Sequence, residues 1–482
     1  MFWGGTPETP STVRTGSAGS SAKLSLMPAT PPRKLRPELP GGPYLVVGLA
    51  RSGCAVARLL DARGEDVTGV DSGRPDGVAG LREVGVEVFL DADGLALLDG
   101  VRTVVKSPGV PREAPVIAAA LERGIDVLGE LEVAWRAIPN RFVAVTGTNG
   151  KTTVVEWLGH VYRIAGEPVA VAGNVGTPLS VLAGEVGPDA TVICEASSFQ
   201  LEDSVAFAPE CAVFLNLAPD HLDRHADLGA YLEAKLRIFA NQGNDDVAVY
   251  NADDPALAGV DLGGCARRVA FCHGAGPDCE VALAGETIFY DGEPLLPVAE
   301  LGILGEHNVA NAMAVATAAL SMGIDRDAVR EGLRSFAGVS HRLEQVAEID
   351  GVRFVNDSKA TNVAAATVGL RAFEGGLHAI LGGSEKGEPY GPLLDPVRER
   401  CVACYLIGAS AGRLAEELAP AIESGVSLHR FAGLEEAVRR AAAAARPGET
   451  VLLSPACASF DAFDNFEARG ERFREIVGAL RS

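Results

Sequence analysis

Short apolar runs alternate with amphipathic helical patterns along most of the chain. The first series of runs begins at Tyr44–Val47, the second at residues 141–145 and the third at residues 352–355. Short runs of this kind are typical of buried strands in parallel sheets, and the stretches between them have the period of helices that cover a sheet. The pattern therefore predicts an α/β protein with three domains.

The predicted domain boundaries follow from where each series begins and ends. Residues 1–40 are rich in Ser, Thr, Pro and Gly and contain few large apolar residues, so we expect a disordered arm. The domains then span residues 41–138, 139–338 and 339–482. We expect Rossmann-like sheets in the first and third domains and a P-loop-type ATPase domain between them, with sites at the carboxyl ends of strands.

Composition and charge narrow the class of protein. The 482 residues are 47% hydrophobic and 22% charged, which is ordinary for globular domains. A formal net charge of −22 repels polyanions, so we expect no nucleic-acid partner. Residues 1–26 lack the apolar core of a signal peptide, and the sparse cysteines are expected to be reduced thiols. These features predict a cytoplasmic protein without membrane insertion.

The strongest motif follows the apolar run at residues 142–145. It consists of Thr146, Gly147, Thr148, Asn149, Gly150, Lys151, Thr152 and Thr153. Glycines let backbone N–H groups turn towards phosphates, Lys151 can reach the terminal phosphates, and the Thr152 hydroxyl can hold Mg²⁺. Val145 stands where the strict pattern has Gly, so the motif is a variant. A strand before it and a helix after it favour phosphate binding over a chance glycine-rich turn.

Two polar side chains follow later strands of the central domain. Glu195 comes after one apolar run and His221 after another, and such groups beside a phosphate loop suit a magnesium-nucleotide site. Taken singly, Glu195 reads equally well as a surface ion pair and His221 as a structural histidine. Together with Lys151 they favour the nucleotide site. Lys235, taken alone, reads as a solvated lysine on a helix.

The loops of the outer domains carry further candidates. In the first domain, residues 48–53 follow a strand, but Ala50 replaces the middle glycine of a dinucleotide fingerprint, so a mononucleotide site or a structural turn is at least as consistent. In the third domain, three polar loops follow strands and share one edge. Lys359 and Lys386 can hold an anionic substrate there, and Ser459 can donate to a carboxylate.

These motifs together resemble the Mur ligase family. The matching segments are residues 147–153, 220–223, 305–311 and 341–342. Within the family, three loops are similar to those of members that add D-glutamate. These loops are residues 195–202, 356–362 and 453–459. The resemblance spans all three domains.

The resemblance implies a reaction, its cofactors and its substrates. Family members couple ATP cleavage to amide formation: a carboxylate attacks the γ-phosphate, and an amine then attacks the acyl phosphate. The implied substrates are UDP-N-acetylmuramoyl-L-alanine and D-glutamate, in peptidoglycan precursor synthesis. ATP and two Mg²⁺ ions are the implied cofactors, and we expect a monomer.

Site residues are also implied by the resemblance. The expected catalytic residues are Lys151, Glu195, His221 and Lys235. Those expected to hold Mg²⁺ are Thr152, Glu195, His221 and Lys235, the last carbamylated by CO2. ATP contacts outside the phosphate loop are expected from Asn311, Arg342, Asp357 and Lys359. The UDP-substrate is expected to contact Ala50, Arg51, Asp71, Ser107 and Asn174. D-glutamate is expected to contact Thr361, Lys386, Ser459, Phe460 and Phe466.

The residues by themselves are also compatible with three other functions. Another amide ligase of the superfamily would add a different amino acid, or glutamate to a folate, and would differ in the third-domain loops. A non-enzymatic nucleotide-binding switch would need the phosphate loop but neither Lys235 nor those loops. A dinucleotide-dependent oxidoreductase rests only on the first-domain loop, which lacks its middle glycine.

Overall fold

The computed structural model describes residues 34–75, 77–174, 176–220, 224–274, 279–303, 305–385 and 389–481. Three sheets follow one another along the chain, and each is mainly parallel with helices packed against it. Six clusters of buried apolar side chains lie between these sheets and their helices. The predicted three-domain α/β fold is confirmed.

The first sheet has five parallel strands in the order β3-β2-β1-β4-β5. The strands are β1 (Tyr44–Val47), β2 (Val67–Asp71), β3 (Glu87–Leu90), β4 (Thr103–Lys106) and β5 (Asp126–Gly129). The helices are α1 (Arg51–Ala62), α2 (Ala79–Glu83), α3 (Pro115–Glu122) and α4 (Glu130–Ala137). All residues of β1 and β4 are buried, because helices cover both faces of the sheet.

The central sheet has nine strands in the order β14-β13-β12-β11-β10-β9-β6-β8-β7. The strands are β6 (Phe142–Thr146), β7 (Val169–Gly173), β8 (Thr191–Glu195), β9 (Cys211–Phe214), β10 (Val247–Asn251), β11 (Arg267–His273), β12 (Cys279–Ala284), β13 (Thr287–Tyr290) and β14 (Glu293–Pro297). The helices are α5 (Lys151–Ile164), α6 (Ser198–Glu202), α7 (Leu228–Ala240), α8 (Glu306–Ser321) and α9 (Arg326–Ser335). Strands β12 to β14 pair antiparallel, unlike the rest.

The third sheet has six strands in the order β15-β16-β20-β17-β18-β19. The strands are β15 (Glu344–Ile349), β16 (Val352–Asn356), β17 (Leu377–Gly382), β18 (Cys401–Ile407), β19 (Ser427–Arg430) and β20 (Thr450–Leu453). The helices are α10 (Val363–Arg371), α11 (Leu394–Arg400), α12 (Ala411–Glu417), α13 (Leu434–Ala444) and α14 (Phe466–Ala479). Only β15 runs antiparallel to its neighbour, so the loops after the other strands share one edge.

Two expectations about the chain need correction. Cys272 and Cys279 form a disulfide across β11 and β12, whereas reduced thiols were expected throughout. Residues 34–40 belong to the arm predicted to be disordered, but Lys34 and Arg36 make specific contacts with the body of the protein. Residues 1–33 of that arm lie outside the described residues. In the part of the chain that is described, no helix is both long and apolar enough to cross a membrane.

Candidate active site

The phosphate-loop motif forms a tight turn between β6 and α5. Gly147 has a φ of 152° and Gly150 a φ of 84°, a region that favours glycine. A Cβ atom on Gly150 would lie 2.4 Å from Oδ1 of Asn311 on α8. Lys151 folds back over the loop, where its Nζ donates to the carbonyl oxygens of Gly147 and Thr148 at 2.9 and 2.8 Å. Burial lowers the pKa of Lys151.

The neighbouring strands β7 and β8 bring Asn174 and Glu195 beside this loop, where Glu195 meets Thr152 at the start of α5. The Thr152 hydroxyl donates to Oε2 of Glu195 at 2.8 Å, and Nδ2 of Asn174 donates to Oε1 of the same carboxylate at 3.0 Å. Glu195 is the last residue of β8, and it is 3% exposed. A capping box between Ser197 and Gln200 starts the next helix, α6, and so holds the loop that follows Glu195.

Lys235 is buried, which corrects its interpretation as a solvated helix lysine. Its side chain points from α7 to the phosphate loop, where Nζ donates to the carbonyl oxygen of Gly147 at 2.7 Å. It also lies 4.4 Å from the centroid of the Tyr231 ring. Burial, followed by the positive charge of Lys151, lowers the pKa of Lys235 to about 7. This lysine therefore belongs to the site.

The oxygen atoms of Thr152 and Glu195 are hard donors that suit Mg²⁺. Lys235 as an ammonium is a donor and cannot be a metal ligand. The described residues contain no group of three or more His, Cys, Asp or Glu side chains placed to hold a metal. His221, the remaining predicted ligand, lies outside the described residues.

The third domain approaches the phosphate loop through the segment after α9 and the loop after β16. The positive charge of Arg342 acts to lower the pKa of Lys151 in the central domain and of Asp357 and Lys359 in the third domain, so Arg342 lies near residues of both domains. Asp357 accepts from the Ser454 hydroxyl at 2.7 Å and from the Leu343 N–H at 3.2 Å. Burial raises the pKa of Asp357 to about 7 and lowers that of Lys359.

A cleft of about 760 Å³ lies where the three domains meet. From the predicted set, it is lined by Arg51, Thr152, Asn174, Glu195, Lys359 and Phe466. Residues that motif analysis missed also line it, among them Glu156, His160 and Arg163 on α5. Helical spacing is the sequence feature that indicates them, because Glu156 and His160 follow Thr152 by one and two turns and so lie on the same face of α5.

The first-domain candidates lie around the turn after β1. Asp71 accepts from the backbone N–H groups of Leu49 and Gly73 at 2.6 and 2.8 Å, so its carboxylate shapes the loop. Ser107 is buried at the end of β4. Ala50 is exposed at the start of α1, and only Arg51, of the first-domain candidates, lines the cleft.

The residues predicted to bind D-glutamate have different environments. Phe466 lines the cleft at the start of α14, Thr361 is half-buried and Ser459 is buried. Phe460 is 73% exposed, and of the described members of this set only Phe466 lines the cleft. Lys386 lies outside the described residues.

Comparison with protein families divides the chain in the same way as the sheets. Residues 43–129 match the Mur ligase MurD-like N-terminal domain, residues 145–319 the Mur ligase middle domain, and residues 341–457 the Mur ligase glutamate ligase domain. A solved UDP-N-acetylmuramate-alanine ligase from Thermotoga maritima has the same fold. It superimposes with a TM-score of 0.55 at 20% identity, over 91% of this chain and 99% of the other.

Two curated relatives are more similar in sequence. The UDP-N-acetylmuramoylalanine--D-glutamate ligase of Pelotomaculum thermopropionicum is 42% identical over 91% of this chain and 97% of its own. The protein of the same name from Acidobacterium capsulatum is 40% identical over 92% of this chain and 98% of its own. With all three domains matched in order along one chain, the protein belongs to the Mur ligase family.

Proposed function

We propose that this protein is the ATP-dependent ligase that adds D-glutamate to UDP-N-acetylmuramoyl-L-alanine in peptidoglycan precursor synthesis. The observation that carries the proposal is the single cleft in which the phosphate-loop residue Thr152, Glu195, and the third-domain residues Lys359 and Phe466 face one another. Relatives of that name match nearly the whole chain at about 40% identity. A non-enzymatic nucleotide-binding switch would not need residues of the third domain in the wall of the cleft.

The reaction joins two anions, so the site has to offset their repulsion. The L-alanyl carboxylate attacks the γ-phosphorus of ATP, and the bond to ADP breaks to give an acyl phosphate. The amine of D-glutamate then attacks the acyl carbon, and inorganic phosphate leaves as the amide forms. Lys151, the backbone N–H groups of the loop and Arg342 supply positive charge where negative charge gathers.

Outside the loop, Asn311, Asp357 and Lys359 complete the proposed nucleotide site. Asn311 lies over the phosphate loop, because a Cβ atom on Gly150 would lie 2.4 Å from its Oδ1. Asp357 and Lys359 come from the third domain, so ATP would contact both domains. Approach of the third domain would then complete the site.

Mg²⁺ fits the donor set at the loop. Thr152 and Glu195 would hold one ion, and when bound it would neutralise phosphate charge. For a second ion, His221 would join Lys235. The lowered pKa of Lys235, about 7, leaves much of its amine neutral at neutral pH, as reaction with CO2 requires. A carbamate would replace the ammonium by oxygen ligands.

The outer domains hold the two other substrates in this proposal. Residues 41–138 form the UDP-substrate domain, where Ala50, Arg51, Asp71 and Ser107 surround the end of the sheet, with Asn174 contributed by the central domain. Residues 339–482 form the D-glutamate domain, with Thr361, Lys386, Ser459 and Phe466 as contacts. The central domain, residues 139–338, lies between them. Residues of all three domains line the cleft, so the proposed reaction needs no residue from a second copy of the chain, and we propose a monomer. Its nucleotide substrates support a cytoplasmic location.

Phosphate release from ATP tests the proposal. The purified protein is assayed with Mg²⁺ and UDP-N-acetylmuramoyl-L-alanine, and with D-glutamate, L-glutamate or meso-diaminopimelate. We expect release only with D-glutamate, and a loss of about 10²-fold or more in Glu195→Gln, because the carboxylate proposed to hold Mg²⁺ beside the phosphates is removed. The control Glu280→Gln removes an exposed carboxylate that pairs with Arg267 and should leave activity unchanged. Turnover with another amino acid would overturn the substrate, and ATP binding without turnover would favour the switch.

A further inference from the structure

A buried arginine lies outside the cleft, where the first and central domains join. The side chain of Arg36 is 4% exposed. Its guanidinium carbon lies 4.7 Å from the centroid of the Trp135 ring and 4.8 Å from that of the Phe142 ring. Trp135 belongs to α4, the last helix of the first domain, and Phe142 begins β6, the first strand of the central domain. The guanidinium therefore contacts both sides of the junction.

The hydrogen bonds of Arg36 are made to the linker itself. Its Nη1 donates to the carbonyl oxygens of Trp135 and Ile138, and its Nη2 donates to that of Asn140. Carbonyl groups at a helix end lack helical partners, and positive charge is favourable there. Only the planar fork of arginine can reach several such oxygens at once. Arg36 thus binds the end of α4 and the connection to β6 together.

The neighbouring charges show that the linker, and not a carboxylate, is the main partner. The nearest carboxylate, that of Glu210, lies 3.9 Å away. Burial lowers the pKa of Arg36 to about 10, so the side chain stays charged at neutral pH. Nη1 of Arg136 donates to the carbonyl oxygen of Glu38 at 2.8 Å, which ties the same segment to α4 a second time.

We propose that Arg36 is a positioning residue for the ligase reaction, because it fixes the first domain relative to the central domain through the linker. Arg51 of the first domain lines the same cleft as Thr152 and Glu195 of the central domain. Rotation about residues 138–140 would change the distance between them. A fixed linker therefore sets the angle at which a substrate held by the first domain presents its carboxylate to ATP. The proposal rests on the proposed function for the identity of that substrate.

Binding and kinetics of Arg36→Ala, Arg36→Lys and Lys34→Ala in the full chain test this role. Lys34 is the matched control, because it lies in the same segment but its Nζ donates to Ala208 and Asp246 of the central domain and, among the described residues, to no atom of the linker. For both Arg36 variants we expect about tenfold weaker binding of UDP-N-acetylmuramoyl-L-alanine by calorimetry, and a similar rise in its KM, since preorganisation is lost. In both Arg36 variants, KM for ATP should stay within about twofold of wild type. In Lys34→Ala, the affinity for the UDP-substrate and both KM values should stay within the same range.

A second measurement separates positioning from folding. Hydrogen exchange of the amides of Ile138, Asn140 and Arg141 should become faster in Arg36→Lys, while amides of the central strands keep their protection. Unchanged affinity for the UDP-substrate in a folded Arg36→Lys variant would overturn the proposal, as would equal rises in KM for all three substrates. If the wild type shows no ligase turnover, the proposed function fails. The hydrogen exchange of the linker amides and the affinity for the UDP-substrate then still decide the role of Arg36.

Discussion

Burial, more than charged neighbours, shifts the pKa values of the site residues Lys151, Lys235 and Asp357. Among the described residues, no cation lies within ion-pairing distance of Asp357, whose oxygens accept from Ser454 and Leu343. Desolvation dominates and raises its pKa to about 7, with Arg342 acting weakly in the other direction. The folded protein thus binds a proton at Asp357 that the unfolded chain releases near pH 4.

Asp357→Asn should therefore stabilise the protein at high pH. The raised pKa means that the stability associated with Asp357 is fully present below about pH 4 and is lost as the pH rises to about 7. An amide avoids this loss, so the gain should be near zero at pH 4 and on the order of 4 kcal/mol above pH 7. Calorimetric unfolding across this range checks it. The exposed Asp464→Asn is the control, and an equal gain at all pH values would contradict the argument.

The sequence predicted some of these residues well and others poorly for a physical reason. Thr152 follows β6 through the phosphate loop and Glu195 ends the neighbouring parallel strand β8, so their proximity could be expected, and the Thr152 hydroxyl lies 2.8 Å from Oε2 of Glu195. Lys235 could not be interpreted in this way, because its partner Gly147 is 88 residues away and a helical pattern treats lysine as exposed. Arg36 lies in a segment whose composition indicates disorder.

At the scale of elements, most strands that alternate with helices were predicted, but the parallel strands β3, β11 and β19 were not. The runs beginning near residues 44, 141 and 352 correspond to β1, β6 and β16 within a residue. Strands β12 to β14 were missed, because antiparallel hairpins have no helix between strands and their side chains are only partly buried. Strand β15 was missed for the same reason.

Helix packing beneath the phosphate loop gives a second prediction. Nε1 of Trp157 on α5 donates to the carbonyl oxygen of Gly332 on α9 at 3.0 Å. A Cβ on Gly332 would lie 2.7 Å from Cγ2 and 3.0 Å from Cα of Val161, so the helices would have to separate. Gly332→Ala should destabilise the protein by about 1–3 kcal/mol, because this overpacking outweighs a gain of about 1 kcal/mol in helix propensity. Thermal unfolding measures the difference.

The matched control for this change is Gly478→Ala on α14. No atom lies within 4 Å of a Cβ built there, so only helix propensity changes. We expect this variant to be more stable than wild type by up to about 1 kcal/mol. If Gly332→Ala gains stability to the same extent, α5 and α9 are not in the close contact described here.

At the scale of the whole molecule, buried charges join the first and central domains. Glu132 on α4 accepts backbone N–H groups of Val205, Ala206 and Phe207, and Glu130 accepts the N–H and hydroxyl of Ser180 at 2.7 Å. These bonds do not involve the cleft directly. They place the segment that contains Ser180, which follows the loop of Asn174, against the first domain.

The most buried of these interdomain contacts is the ion pair between Lys106, at the end of β4, and Asp203, just after α6. Nζ and Oδ2 are 2.7 Å apart, and the side chains are 0% and 2% exposed. Lys106→Met should destabilise the protein by about 3–5 kcal/mol, because Asp203 is left buried with only Arg112, 3.9 Å away, as a partner. Calorimetric unfolding measures this loss.

The double variant Lys106→Met, Asp203→Leu shows whether the lost stability comes from the unpaired buried charge of Asp203 or from the lost ion pair. Two apolar side chains of similar volume leave no uncompensated charge, so most of the stability should return. If the double variant is as unstable as Lys106→Met, the ion pair itself stabilises the junction. Arg36 binds the same junction through backbone carbonyls and shares no partner with Lys106, so Arg36→Ala and Lys106→Met should destabilise additively. A junction held at two independent points can keep the first and central domains in one fixed arrangement while the third domain completes the cleft.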